Sequence, residues 1–271
     1  MNEKVMFSII IVTLNAENEI EDTIKSIEAQ ICDNFEVIVK DGCSKDMTLN
    51  KIPQNEKYHI YSMKDKSVYD GMNQAIKLAT GRFVIFLNAG DAFASKDTLL
   101  EISTYIQKNN IQDHQCVLYG NYYRKNSGIQ NQPYQLTDFY LYRRPLCHQS
   151  LLYSRNLFDI YGLYNANYKI SADHEYTMKL WKAQVPFWHT KNTVCMYEGG
   201  GISESSTGWK NAVSERTRIR KQYYSKKSRV KYELILFFSF SKLRAWIDSE
   251  KSPQCINKIY VSIRNRTFSK K

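Results

Sequence analysis

No two of the six cysteines (Cys32, Cys43, Cys116, Cys147, Cys195 and Cys255) form a C-x-x-C pair, and no two of the five histidines are spaced H-x-x-x-H. That scattering argues against a zinc site or a disulfide framework and fits reduced thiols in a cytosolic protein. Long apolar runs are missing too. The run at the N-terminus, Met6-Phe7-Ser8-Ile9-Ile10-Ile11-Val12, is too short to span a bilayer and lacks a small-residue cleavage site. It reads as a buried strand, and no other stretch reaches spanning length, so the expectation is a soluble or peripheral protein. Internal repeats and low-complexity tracts are absent. Hydrophobic residues make up 43% of the 271, which excludes a disordered chain and suits one large α/β domain, or one domain with a small appendage.

The net charge of +11 is unevenly placed: residues 206–271 balance to +13, whereas residues 1–205 balance to −2. A near-neutral body therefore carries a cationic C-terminal quarter. Such a segment seeks phosphate, in nucleic acid or in anionic lipid.

Periodicity places the elements. Residues 6–13 are nearly continuous in apolar, β-branched side chains, as in a central parallel strand. Ile20, Ile24, Ile27 and Ile31 share one face of a following helix. Residues 35–40 predict a second strand ending at Asp41-Gly42. Val68, Met72, Ala75, Ile76 and Ala79 predict a second helix, stopped by Gly81 just before a strand over 82–87. Strand–helix–strand–helix–strand order implies a parallel sheet with right-handed crossovers. Residues 112–170 are less regular, with strand-like pieces at 117–119 and 150–153. A helix is predicted over 172–183, short strands near 186–189 and 193–197, a flexible loop at Gly199-Gly200-Gly201, and basic helical structure from Trp209 onward.

Ligands of open α/β sheets bind outside the carboxyl ends of the strands. Three such ends are polar here: Thr13-Leu14-Asn15-Ala16-Glu17, Asp41-Gly42-Cys43-Ser44-Lys45-Asp46 and Asn88-Ala89-Gly90-Asp91. Each alone reads equally well as a cap or a turn; together they mark one edge of a sheet.

These segments resemble the family 2 glycosyltransferases of GT-A fold. Thr13-Leu14-Asn15 closes the opening strand, and Asp41-Gly42-Cys43-Ser44-Lys45-Asp46 is similar to the family's D-G-x-S-x-D. The stretch Asp65-Lys66-Ser67-Val68-Tyr69-Asp70-Gly71-Met72-Asn73 is similar to the segment ahead of the metal motif in capsule and O-antigen transferases. The resemblance spans roughly residues 5–205 and is most specific in the first hundred. It implies a Rossmann-like α/β core with a mostly parallel central sheet over 1–205, with a nucleotide-sugar half at 1–110 and an acceptor half at 111–205. A basic, helical segment over 206–271 follows.

The resemblance also implies roles. Thr13, Asn15, Glu17, Asp41, Asp70, Asn73, Asn88, Ala89 and Gly90 would surround the donor. Asp41 would accept the uracil N–H, which a carboxylate at a strand end can do. Asp91 would hold a divalent cation, Mn or Mg, that neutralises the departing diphosphate. Many members carry D-x-D, where this chain has Asn88-Ala89-Gly90-Asp91; one carboxylate remains, which predicts weaker cation binding. Asp173, in Ser171-Ala172-Asp173-His174-Glu175, would by the resemblance be the general base that deprotonates the acceptor hydroxyl, although position alone favours a helix cap. His148, Gln149 and Glu175 would face the cleft, and Gly199–Gly201 would close over the donor.

The expected enzyme is thus an inverting transferase using a nucleotide sugar, UDP-linked, on a saccharide or lipid-linked saccharide acceptor. It would work at the cytoplasmic face of the cell membrane, held to anionic lipid through residues 209–271, with no nucleic acid as partner. The rivals are a sugar-1-phosphate nucleotidyltransferase, whose glycine-rich basic loop residues 11–15 do not resemble, a basic nucleic-acid-binding protein, and a relative that has lost activity with D-x-D.

Overall fold

A computed structural model describes residues 5–125, 127–197 and 206–238. The first half winds as expected. Strand β1 (Phe7–Thr13) is followed by helix α1 (Ile20–Glu28), β2 (Phe35–Asp41), β3 (Tyr58–Ser62), α2 (Val68–Ile76) and β4 (Phe83–Phe86). Strands β1, β2, β3 and β4 pair in parallel in the order β3-β2-β1-β4. β3 is an extra strand that the sequence does not announce. Its side chains are only partly buried, so the apolar alternation that marks a strand is weak.

Burial explains why these segments are strands. Ile9, Ile11, Val37, Val39 and Ile85 are wholly inaccessible and pack under α1, which contributes Ile20, Ile24 and Ile27. Each such side chain contributes roughly 1.5–3 kcal/mol on leaving water. Ile31 does not share that face. The helix ends at Glu28, and Gln30 turns the chain by donating to the carbonyls of Ser26 (3.0 Å) and Ser95 (2.8 Å), which leaves Ile31 exposed. At the junction of α2 and β4, the Glu36 carboxylate accepts from Ser8 Oγ (2.5 Å), Thr80 N (2.7 Å) and Gly81 N (3.1 Å). Gly81 lies so close to β1 that a Cβ there would sit 2.7 Å from the Ser8 backbone nitrogen. The helix-to-strand switch at this glycine is therefore a matter of contact distance.

Next come β5 (Ala92–Phe93), α3 (Thr98–Lys108), β6 (Val117–Arg124), β7 (Gly128–Gln130), α4 (Asp138–Arg143), β8 (Leu151–Ser154), α5 (Asn156–Tyr161), α6 (Ala172–Lys182) and β9 (Phe187–Tyr197). β8 adds to β4 antiparallel, and the sheet continues β8-β6-β9-β5, with β7 paired to β6. The two short strands expected near 186–197 are one strand. β9 runs parallel to β6 with a bulge, and Lys191 sits at φ 69°, so the polar stretch 190–192 is an irregularity inside the strand.

Helices α7 (Ser206–Tyr223) and α8 (Lys226–Phe238) follow. The chain forms two compact units, one ending at Ile219 and one starting at Arg220. Residues 209–219, read from the sequence with the cationic tail, thus lie in the catalytic unit, where Ala212 and Ile219 are buried. The glycine loop 199–201 and residues 239–271 lie outside the described residues.

Candidate active site

The loops after β1 and β2 are laced into one body. Asn15 N donates to Ser44 Oγ (2.8 Å) and Asn15 Oδ1 accepts from Lys45 N (2.9 Å). Ala16 N donates to Thr48 Oγ1 (2.8 Å), Glu17 N to Asp46 Oδ2 (3.2 Å), and Met47 N to Glu17 Oε2 (2.9 Å). Asn15 and Glu17 therefore spend their side chains on shaping the floor of the edge. Asp41 is wholly buried. Its carboxylate accepts from Cys43 N (2.9 Å), Ser44 N (3.0 Å), Ser44 Oγ (2.5 Å) and Ser62 Oγ (2.6 Å). A carboxylate has about four lone-pair sites, so a further donor reaches it only by displacing a hydroxyl. Beneath it, the buried Lys40 ammonium binds the carbonyls of Asp41 (3.0 Å) and Met63 (2.6 Å) and the Asp65 carboxylate (2.8 Å).

The turn after β4 is closed by Asp91 N donating to the Asn88 carbonyl (2.9 Å), with Gly90 at φ 92°, a conformation that glycine adopts freely. Thr23 of α1 holds the turn: its Oγ1 donates to the Asp91 carbonyl (2.7 Å) and accepts from Gly90 N (3.0 Å). The Asp91 side chain is buried, and burial pushes its pKa up to about 7 against the opposing hydrogen bonds of Gln149 and the Asn88 backbone; Gln149 Nε2 lies 3.2 and 3.3 Å from its two oxygens. Beside it the Asn88 amide oxygen is buried without a donor among the described residues. A buried carboxylate lacking a cationic partner, next to an orphaned amide oxygen on the same turn, fits a hard divalent cation that takes its other ligands from diphosphate and water. No cluster of three or more His, Cys, Asp or Glu residues able to hold a metal occurs among the described residues.

Asp173 stands in the first turn of α6. Tyr69 Oη donates to Asp173 Oδ1 (2.8 Å) and lies 2.7 Å from the Ile170 carbonyl. Burial, reinforced by the charge of Asp173, holds the Tyr69 phenol well above its ordinary pKa, so it remains a donor. No donor among the described residues reaches Asp173 Oδ2. His148 precedes the Gln149 that meets Asp91 and feels the charge of Asp173; its ring is stacked on Phe86 at 5.1 Å and edge-on to Tyr164 at 6.2 Å. Both of its nitrogens are buried without a partner among the described residues. Burial lowers its pKa, against the opposing charge of Asp173, so it is held neutral. Thr13 Oγ1, at the end of β1, is likewise buried without a partner among the described residues. Polar atoms orphaned at Thr13, Asn88 and His148 ask for a ligand, since buried polar groups are otherwise satisfied.

The strand ends that carry Asp41 and Asp91, though not Asp173, fall within the match to a family model. Residues 8–161 fit the model described as Glycosyl transferase family 2. The chain belongs to that family. It is accordingly a nucleotide-sugar-dependent glycosyltransferase, and a nucleotidyltransferase is set aside. The PGL/p-HBAD biosynthesis glycosyltransferase of Mycobacterium bovis is 35% identical over 179 residues, covering 64% of this chain and 69% of that protein. The UDP-Glc:alpha-D-GlcNAc-diphosphoundecaprenol beta-1,3-glucosyltransferase WfgD of Escherichia coli is 33% identical over 120 residues, 43% of this chain and 46% of its own length. Among solved structures, S. aureus TarS 1-349 in complex with UDP-GlcNAc superposes with a TM-score of 0.63 at 20% identity, covering 91% of this chain and 76% of that one. That likeness establishes a shared GT-A fold.

Within this transferase, Gln149 links to Asp91 and its neighbour His148 feels the charge of Asp173. Other expected donor ligands are occupied elsewhere. Asp70 accepts from Lys66 N (2.9 Å) and serves the start of α2. Asn73 grips the backbone of Tyr164 with both ends of its amide, each at 2.9 Å. Glu175 is buried inside α6. Ala89 and Gly90 contribute backbone to the turn. Sequence reading missed Tyr69, Tyr164, Lys40 and Thr23, although Tyr69 lies inside a motif segment, one position from Asp70.

Proposed function

We propose that this transferase moves a sugar with inversion from a UDP-sugar to a hydroxyl of a lipid-linked saccharide in surface polysaccharide assembly. The observation that carries the reading is the His148-Gln149 dipeptide, whose Gln149 amide meets the Asp91 carboxylate while His148 feels the charge of Asp173. One carboxylate lies where a diphosphate leaves, and one has an open oxygen where a hydroxyl arrives. The acceptor oxygen attacks the anomeric carbon as its bond to the diphosphate oxygen breaks, and the acceptor proton passes to Asp173 Oδ2. Tyr69 orients Asp173 through Oδ1. His148 donates from one nitrogen or accepts at the other to fix a sugar hydroxyl. Asp91 and Asn88 would hold the divalent cation, Mn or Mg, whose charge stabilises the departing diphosphate. Asp41 and Ser62 border the uracil pocket. The name of WfgD, with its UDP-Glc donor and diphosphoundecaprenol acceptor, supports the choice of donor and acceptor. The teichuronic acid name of TuaG from Bacillus subtilis supports the polysaccharide setting.

The full chain, given a panel of nucleotide sugars and a polyprenyl-diphosphate-linked saccharide, should release nucleoside diphosphate from UDP-sugars with Mn²⁺ and stop with EDTA. Release from GDP- or dTDP-sugars alone would overturn the donor assignment. Release indifferent to the saccharide would overturn the acceptor.

The same reading places the enzyme at the cytoplasmic membrane face through the cationic C-terminal segment. No helix among the described residues is long and apolar enough to cross a membrane. On α8, Val230, Leu234 and Ile235 are exposed beside Lys226, Lys227, Arg229 and Lys231, the chemistry of an interfacial helix. Each basic residue contributes on the order of 1 kcal/mol near anionic lipid. Changing those four to Glu should cut co-sedimentation with phosphatidylglycerol vesicles by at least about tenfold. Unchanged sedimentation, or none by the wild type at low salt, would refute the anchor.

A further inference from the structure

Among residues 206–232, rich in Lys and Arg, Glu215 is the one acidic residue. It sits on α7, beyond the stretch that matches the family model. Its carboxylate does not point to a lysine or arginine of its own helix for partners. It accepts three consecutive backbone N–H groups, from Lys169 (2.6 Å), Ile170 (3.0 Å) and Ser171 (2.9 Å). Those residues lead directly into α6, and their amides lie ahead of its first turn, where the helix supplies no carbonyl acceptors. One helical turn further along α7, the Arg218 guanidinium rests 3.9 Å from the centre of the Tyr168 ring. Helix α7 therefore grips the strip 167–171 from one side.

The other side of that strip is held by Tyr69, whose hydroxyl lies 2.7 Å from the Ile170 carbonyl while donating to Asp173 Oδ1. The Ile170 peptide units are thus fixed twice, at the N–H by Glu215 and at the carbonyl by Tyr69. The same tyrosine hydroxyl orients Asp173. We infer that Glu215 is a positioning residue for Asp173, acting from the C-terminal segment through three amides to set where the carboxylate stands. This deepens the proposed function and rests on Asp173 being the general base. Without Glu215 three N–H groups lose their acceptor, the strip 169–171 can turn, and Tyr69 no longer meets a fixed partner. A displacement of about 1 Å at the reacting group is enough to cost up to about 10²-fold in rate. Donor binding should be spared.

The test is a mutant cycle in the full-length enzyme: Glu215→Gln, Asp173→Asn and the double variant, with kcat, donor KM and calorimetric affinity for UDP with Mn²⁺ measured for each. Glu215→Gln should lower kcat at least about tenfold, with donor KM and UDP affinity within about twofold of wild type. In the Asp173→Asn background it should cost less than about twofold more, because residues acting as a unit are not additive. Glu215→Asp, which keeps the charge but shortens the reach, should fall between wild type and Glu215→Gln; it also serves if Glu215→Gln fails to fold. Unchanged kcat in a folded Glu215 variant overturns the inference. So does an equal loss in both backgrounds, which would mark a general structural role. If Asp173→Asn alone retains full turnover, the base assignment fails first and takes this inference with it, an outcome visible without any Glu215 variant.

Discussion

Asp173→Asn is expected to lower kcat by about 10²–10⁴-fold, the usual cost of losing a general base, while UDP affinity stays within about twofold. The substitution is nearly isosteric, and its amide oxygen still accepts from Tyr69, which holds the residue at 2.8 Å through Oδ1. What disappears is an anionic oxygen able to take the acceptor proton. The helix itself should survive, since Asn also suits a helix start. Steady-state turnover on the saccharide acceptor, with calorimetry for UDP, checks both halves. A variant retaining more than about a tenth of wild-type turnover would leave Asp173 a structural partner of Tyr69 in the first turn of α6, whose N-cap is Ser171.

Asp91→Asn should have two opposite effects. Manganese-dependent UDP binding should weaken by at least about 100-fold, because the turn loses its one carboxylate and keeps only neutral oxygens. The ligand-free protein should become more stable. Burial raises the Asp91 pKa from 3.8 to about 7. A carboxylate whose folded pKa lies above its unfolded value penalises the folded state once ionised. The penalty is absent below about pH 4, grows between pH 4 and 7 and is complete above 7. At pH 8 its removal is worth on the order of 2–4 kcal/mol, or a Tm rise of roughly 5–10 °C. The expected gain shrinks as pH falls through that window. Thermal melts at pH 5 and pH 8 without metal, set against calorimetry with UDP and Mn²⁺, give the two readings. Unaltered UDP affinity would move the cation elsewhere, and a lower Tm at pH 8 would mean that the carboxylate is structurally satisfied.

The sequence was most legible where burial is two-sided. β1, β2 and β4 stand out as apolar runs because both of their faces are covered, and α1 stands out through Ile20, Ile24 and Ile27. β3 and β9 were obscured by partial exposure and by a bulge, which break the alternation that reveals a strand. In the site, the places of Asp91 and Asp173, after β4 and in the first turn of α6, were legible because a turn and a helix start surround them with recognisable neighbours. The hydrogen-bond partners of Asp41, Asn73 and Glu17 were not. A carboxylate or amide in a motif looks the same in one dimension whether it meets a ligand or a backbone N–H. Glu215 was hidden for another reason: its partners lie more than forty residues away, and its surroundings advertise only positive charge.

The seam at which β8 joins β4 is narrow. Three residue pairs, Phe83 with Ser154, Val84 with Tyr153 and Ile85 with Leu152, mark where the parallel half of the sheet gives way to antiparallel pairing. Parallel strands depend on the helices that cross between them, whereas an antiparallel neighbour asks only for a matching edge. If the donor is read by the strands before the seam, as the proposed function has it, that half can be kept nearly intact while the material beyond the seam is lengthened, trimmed or exchanged. Chimaeras cut at this seam would then exchange acceptor choice while leaving nucleotide chemistry untouched.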